Sequence, residues 1–197
     1  MIVLGITGSS GSGKSTVAQI IAKELNAYLI VADSIVKEMQ KPGNKYYHKI
    51  VELFGLAYLN EDGSLNRRKI SEIIFNDDEM RNRLNALTNK YVVDKIKKQI
   101  KQTKCEFLVM DIPLLFESGL NRECNYIIAV LSDETKQIER ICKRDKTTKE
   151  DAMARLKKQP NNEFYKEHSD FIIVNEGEDN VRLMGEIRKC LQNLHQM

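Results

Sequence analysis

Eight consecutive residues, Gly8-Ser9-Ser10-Gly11-Ser12-Gly13-Lys14-Ser15, fit the pattern G-x-x-x-x-G-K-[ST]. The chemistry that this spacing serves is a grip on the phosphates of a nucleoside triphosphate. Glycines at positions 8, 11 and 13 permit backbone angles and close approaches that a side chain would forbid. The loop's N–H groups then point inward and cradle phosphate oxygens, and the positive N-terminal end of the following helix acts on the same anion. Lys14 has the reach to meet the terminal phosphates, the Ser15 hydroxyl suits Mg²⁺, and Ser12 and Thr16 belong to the same run of donors. The motif specifies triphosphate binding without naming the group that receives a phosphate, since GTPases, ATPases and kinases all use it.

Two carboxylates and a basic segment could complete such chemistry. Asp111 closes the apolar run Phe107-Leu108-Val109-Met110 and has the position of a carboxylate that supports Mg²⁺. Asp33 closes Tyr28-Leu29-Ile30-Val31-Ala32 and has two readings: it orients or deprotonates an acceptor hydroxyl, or it caps the helix that follows. Ligands of an open parallel sheet collect outside the C-terminal strand ends, so both carboxylates are expected to face a crevice with the loop. Residues 136–166 hold ten Lys or Arg against five Asp or Glu, while the rest of the chain is slightly acidic. Arg140 and Arg144 lie four apart on one expected helix face, and Arg155 lies on the next helix. A guanidinium binds phosphate oxygens as a fork and stays charged, which suits a lid over a transferring phosphoryl group. The competing reading, solvated helices with intrahelical ion pairs, accounts for most of the lysines. Few aromatics interleave with them, so no nucleic-acid groove is expected.

These groups need elements to position them. Ile2–Thr7 is a short apolar run suited to a buried strand, and Val17, Ile20, Ile21 and Leu25 recur at helical spacing over residues 15–26. That strand before and helix after set the loop apart from a glycine-rich turn that merely joins two elements. Further strands are expected at 28–32, 107–110, 126–131 and 171–174, and helices at 134–144, 149–159 and 181–194. Residues 34–104 carry apolar positions that suit helices, broken by a turn at Glu61-Asp62-Gly63. Alternating strands and helices imply an α/β fold with a parallel sheet covered on both faces. The stretch between the second and third strands is too long for one crossover and reads as an inserted helical subdomain.

The bulk properties bound the rest. A chain of 197 residues with 42% apolar and 30% charged residues is long enough for one sizeable core and ordinary for a soluble globular protein. A net charge of +3 is too small to imply nucleic-acid binding by itself. No run approaches the roughly 20 apolar residues of a membrane helix, and Ile2–Thr7 lacks the basic leader of a signal peptide. Cys105, Cys124, Cys142 and Cys190 are widely spaced and are expected to be reduced thiols of a cytoplasmic protein. His48, His168 and His195 are far apart and are given no metal or catalytic role.

Over nearly its whole length the sequence resembles the dephospho-coenzyme A kinase family. Beyond the loop, the resemblance is carried by Ala32-Asp33, Pro42-Gly43, Phe54-Gly55, Asp62-Gly63-Ser64-Leu65-Asn66-Arg67-Arg68 and Leu84-Asn85-Ala86-Leu87. It continues through Asp111-Ile112-Pro113-Leu114-Leu115-Phe116-Glu117, Glu134-Thr135, Arg140, Arg144-Asp145, Arg155, Gln159, Asp170 and Asn175-Glu176-Gly177. The chain departs from the usual pattern at Val31, at Asn89-Lys90, and at Ser9-Ser10 in the loop. The resemblance implies that ATP phosphorylates the ribose 3′-hydroxyl of dephospho-CoA, the last step of coenzyme A biosynthesis, with Mg²⁺ at Ser15 and Asp111.

It further implies Asp33 at the acceptor hydroxyl, Lys14 and Arg140 on the transferring phosphoryl, Arg144 in the lid over ATP, Leu114 to Glu117 around the acceptor, and Asn175 and Gly177 near the adenine. The expected architecture is a P-loop three-layer fold with a five-stranded parallel sheet. Its core is expected at about 1–40, 105–135 and 168–197, with a helical acceptor subdomain at about 41–104 and a helical lid at about 136–167. The expected partners are small-molecule substrates alone, with no nucleic acid or membrane, and the protein is expected as a monomer or weak homo-oligomer. The alternatives are a nucleoside or nucleoside-monophosphate kinase with another acceptor, and, from another class, a nucleotide-binding switch. The first does not expect Pro113-Leu114-Leu115-Phe116-Glu117. The second expects N-K-x-D, which Asn44-Lys45-Tyr46-Tyr47 and Asn89-Lys90-Tyr91-Val92 both fail at the fourth position.

Overall fold

A computed structural model describes residues 1–177 and 180–195. Residues 178, 179, 196 and 197 of the expected core segment lie outside the described residues. The chain divides into two compact units, Met1–Ile30 with Thr103–Met197, and Val31–Gln102.

The first unit is built on a five-stranded parallel sheet in the order β2-β3-β1-β4-β5, from β1 (Ile2–Thr7), β2 (Tyr28–Val31), β3 (Phe107–Asp111), β4 (Tyr126–Leu131) and β5 (Phe171–Val174). The central strand β1 pairs with β3 in a register that sets Ile6 beside Asp111, and with β4 so that Thr7 lies beside Ala129. On β5 the register sets Val174 beside Leu131. The helices of this unit are α1 (Lys14–Glu24), α6 (Glu134–Asp145), α7 (Lys149–Lys157), α8 (Asn162–Glu167) and α9 (Asn180–His195).

Side chains alternate across a strand, and β4 shows what that alternation does here. Ile128 and Val130 join Leu4, Ile6, Val109 and Ile173 in a core with Val17 and Ile21 of α1 and Ile187 and Leu191 of α9. Ala129 and Leu131 face the other way and pack with Tyr165 of α8, flanked by Phe116 and Phe164. Both faces are therefore covered, which explains why these strands read as continuous apolar runs.

The second unit is helical: α2 (Ala32–Met39), α3 (Lys45–Phe54), α4 (Arg67–Asn76) and the 25-residue α5 (Asp78–Gln102), against which α2, α3 and α4 pack. The expected turn at Glu61-Asp62-Gly63 closes a single antiparallel bridge, Leu59 to Leu65, with Asp62 Oδ1 accepting from the Ser64 amide at 2.9 Å. Tyr46 anchors the packing, its hydroxyl 2.6 Å from Thr88 Oγ1 and its ring 5.6 Å from that of Tyr91.

Two local expectations change. The helix after β2 starts at Ala32, so Asp33 lies inside its first turn and not at a strand end. The expected helix over 149–159 stops at Lys157, and a separate six-residue helix, α8, follows with Asn161 as its N-cap. No helix among the described residues is long and apolar enough to cross a membrane.

A packing test of the sheet lies at Gly5 of β1. A Cβ on Gly5 would stand 2.6 Å from Cys124 Sγ and 3.0 Å from Leu115 Cδ2. Gly5→Ala is expected to destabilise the fold by about 1–3 kcal/mol through overpacking. Adding Cys124→Ala should recover part of that loss, because the sulfur is the nearest obstacle. Denaturant unfolding of the two single variants and the double variant measures the coupling, and strict additivity would contradict the packing described here.

Candidate active site

The phosphate loop runs from the end of β1 into α1. Gly13 is the N-cap of α1 with φ 91°, and the first intrahelical bond is Val17 N–H to the Gly13 carbonyl at 3.1 Å. The first-turn N–H groups up to Thr16 therefore have no carbonyl one turn back, the usual state of a helix start. At Gly11 (φ 76°) an added Cβ would lie 2.5 Å from the Gln137 carbonyl oxygen, and at Gly13 it would lie 2.0 Å from Asn175 Nδ2. Left-handed backbone and close approach thus both require glycine there. Gly8 packs on the Val130 carbonyl. Lys14 is buried, and Ser15 and Thr16 are exposed. Ser12 is buried, and its hydroxyl makes no hydrogen bond among the described residues. A buried polar atom of this kind calls for a partner such as water or a bound anion.

The loop's carbonyls are engaged by side chains from distant sequence. Arg140 Nη1 on α6 donates to the carbonyls of Gly11 at 2.9 Å and Ser12 at 3.3 Å, and to Ser132 Oγ at 3.2 Å. Its Nη2 donates to the Asn175 carbonyl at 3.3 Å. Asn175, buried directly after β5, donates from Nδ2 to the Ser12 carbonyl at 2.8 Å. Because a trans peptide points its C=O and N–H in opposite directions, fixing the Ser12 carbonyl aims the Gly13 N–H the other way. Gln137 Nε2 donates to Ser9 Oγ at 2.7 Å, and Gln159 Oε1 accepts from the Ser10 amide at 2.8 Å.

Gly177 lies against Arg140, where a Cβ would stand 2.0 Å from Nη2. A cavity of about 210 Å³ opens there, lined by Lys136, Glu139, Arg140, Lys143, Glu176 and Gly177. Arg140, Asn175 and Gly177 are thus brought together with the loop. Arg140 meets the loop's carbonyls, a contact its sequence position alone did not specify.

Asp111 is buried at the end of β3 beside Ile6, so it lies next to the strand that leads into the loop. In the segment after it, Leu114 and Glu117 are exposed and Phe116 is half-buried. Leu115 is fully buried in the core near Gly5, so its side chain has no surface with which to line an acceptor pocket. Phe116 packs edge-on against Phe164 of α8 at 5.3 Å between ring centroids. Asp33, in the second unit, is exposed in the first turn of α2, whose N-cap is Val31 with no side-chain cap bond. The capping reading therefore loses its geometric basis, since the cap position belongs to another residue.

Arg144 does not act alone. Its Nε and Nη2 donate to the two oxygens of Asp145 at 2.7 and 2.8 Å, and Arg155 Nη1 of α7 reaches the same carboxylate at 2.6 Å. Hydrogen bonds from Arg144, then from Arg155, hold the Asp145 carboxyl down to about 2, despite some desolvation. The four cysteines are free thiols. Burial pushes Cys124 up to about 12 and Cys190 up to about 11, which makes both poor nucleophiles. Among the described residues no cluster of three His, Cys, Asp or Glu could hold a metal ion.

Two variants test this arrangement. Arg140→Lys keeps the charge but loses the fork, so melting temperature and ATP affinity should fall together. A drop in kcat with both unchanged would remove Arg140 from the loop's support. Asp145→Asn should cost about 1 kcal/mol or less at pH 7, because the cluster is partly exposed. The folded pKa lies below the ordinary carboxylate value, so the stabilisation is present above about pH 4 and fades as pH falls toward about 2. The stability gap between parent and variant should close over that window in urea unfolding, and a constant gap would mean that the ion pair contributes nothing.

A family model described as dephospho-CoA kinase matches residues 2–180. The dephospho-CoA kinase of Lactobacillus johnsonii is 35% identical over 196 residues, covering 98% of this chain and 96% of that protein. The dephospho-CoA kinase of Bacillus cereus is 38% identical over 180 residues, 89% of each chain. Among solved structures, dephospho-CoA kinase from Campylobacter jejuni superposes with a TM-score of 0.69 at 30% identity, over 98% of this chain and 96% of that one.

Proposed function

The chain belongs to the dephospho-CoA kinase family, and on that premise we propose that it transfers the γ-phosphoryl group of ATP to the ribose 3′-hydroxyl of dephospho-CoA, giving coenzyme A and ADP. The observation that carries this reading is the phosphate loop, whose Gly11 and Ser12 carbonyls are taken up by Arg140 and Asn175. That leaves the Gly13 N–H and the start of α1 for the triphosphate.

The roles follow from the chemistry of each group. The loop from Gly8 to Thr16 holds the β- and γ-phosphates, and Lys14 follows the transferring charge. Arg140 keeps the loop in shape together with Asn175 and, with Gly177, borders the cavity that takes the adenine side of ATP. Arg144 belongs to a lid formed by residues 136–167, held ready by Asp145. Asp111 and Ser15 offer hard oxygen donors that would hold Mg²⁺, which would supply charge neutralisation to the phosphates. Leu114, Phe116 and Glu117 contact the acceptor. Asp33 aligns the 3′-hydroxyl and takes its proton as the new O–P bond forms and the bond to ADP breaks. Free thiols suit a reducing compartment such as the cytoplasm.

Product mass after incubation with ATP, Mg²⁺ and a panel of acceptors tests the reaction, and phosphorylation of a nucleoside in preference to dephospho-CoA would overturn it. Lys14→Ala should reduce turnover by two to four decades, roughly 3–5 kcal/mol of transition-state stabilisation, with the fold intact by circular dichroism. Asp33→Asn should lower kcat by roughly 10²–10⁴-fold with ATP affinity largely kept. Turnover within a few-fold of the parent would remove Asp33 from the chemistry.

A further inference from the structure

The apex of the phosphate loop is held by two glutamines from different parts of the chain. Gln137, buried on α6, serves the Ser9 hydroxyl. Gln159, in the turn between α7 and α8, serves the Ser10 amide from 149 residues away. Both border a cavity of about 370 Å³ that Ser9, Glu134, Leu156 and Asn162 help to line. The Ser10 bond differs from those made by Arg140 and Asn175 because it occupies a backbone N–H and not a carbonyl. Arg140 and Asn175 hold the loop by its acceptors, whereas Gln159 holds it by a donor, the same kind of group that an anion seeks.

The identity of the residue that performs this task has an electrostatic consequence. A carboxylate of the same shape would accept the Ser10 N–H at least as well. It would also put a full negative charge at hydrogen-bond distance from a loop whose purpose is to gather phosphates. An amide oxygen supplies the acceptor without the charge. An alanine would supply neither, and would also release the segment after α7 from the loop.

We propose that Gln159 is a positioning residue for ATP: its neutral amide oxygen fixes the Ser10 peptide at the loop apex, and so sets the donor geometry that the terminal phosphates meet. The inference rests on the reading of Gly8–Ser15 as a triphosphate loop. It assigns to the α7–α8 turn a direct part in nucleotide affinity, separate from the charge of the lid arginines.

The test compares the full-length parent with Gln159→Ala and Gln159→Glu by calorimetry with ATP, by melting temperature, and by KM for each substrate. Gln159→Ala is expected to weaken ATP by about 3–10-fold, the loss of one hydrogen bond, with KM for dephospho-CoA within about twofold. Gln159→Glu keeps the acceptor and the fold, and is expected to weaken ATP at least about tenfold beyond the alanine variant at low salt. Raising ionic strength from about 0.05 to 0.5 M should narrow that extra gap, because the added charge is screened. If both variants bind ATP within twofold of the parent and only the melting temperature falls, the role is structural and the proposal fails. It also fails if Gln159→Glu matches Gln159→Ala, or if the gap ignores salt. Failure of the wider reading looks different: the parent would not phosphorylate dephospho-CoA, whatever the variants do to ATP affinity.

Discussion

A peptide group cannot offer its N–H to an anion without turning its carbonyl away, and that carbonyl needs a donor of its own. The phosphate loop answers this demand with Arg140 and Asn175, which donate to the Gly11 and Ser12 carbonyls. Neither residue is local to the loop. Their positions follow from the sheet: β4 lies beside β1 and β5 beside β4, with Leu131 opposite Val174. The Asn175 amide donates to the Leu131 carbonyl at 2.8 Å, extending that ladder by one bond beyond the strand. The strand order β1-β4-β5 therefore brings the loop's support into reach, and the core of Ile128, Val130, Ile173 and Ile187 keeps that order in place.

How much of this could be read beforehand depended on the range of the interaction. The loop, β1, β4 and β5 are local patterns, and β4 and β5 span the residues that their apolar runs predict. Helix boundaries drifted where local signals compete. Ala32 could extend a strand or start a helix, and packing settled it as helix, which moved Asp33 off the strand end. The six residues of α8 are too few to show a periodicity, although Asn161 before them is a readable N-cap.

The side chains that shape the loop were legible only in part, because their bonds span 128 to 163 residues. Arg140, Gln159 and Asn175 each stand out through family resemblance, but spacing alone does not say which loop atom each one meets. Gln137 carried no signal of its own. A polar residue four positions after the N-cap Asp133, on the buried side of a helix rich in charge, is the feature that could have marked it. Leu115 shows the opposite error, since a motif that faces solvent at Leu114 and Glu117 turns its middle leucine inward.

The excess of positive charge in residues 136–166 acquires a finer meaning once partners are known. Arg144 and Arg155 share Asp145, so part of that charge is compensated at the surface and organises the α6–α7 elbow. The side chains bonded to Ser9–Ser12, by contrast, are Gln137, Gln159, Arg140 and Asn175, all neutral or cationic. Compensating an arginine with a carboxylate costs little at an exposed elbow, where water screens the pair. The same carboxylate at the loop would cancel the field that draws in a triphosphate. The chain thus uses ionic contacts to stiffen the elbow and uncharged amides or arginine to shape the loop. That division follows from the charge of the substrate and not from any need of the fold.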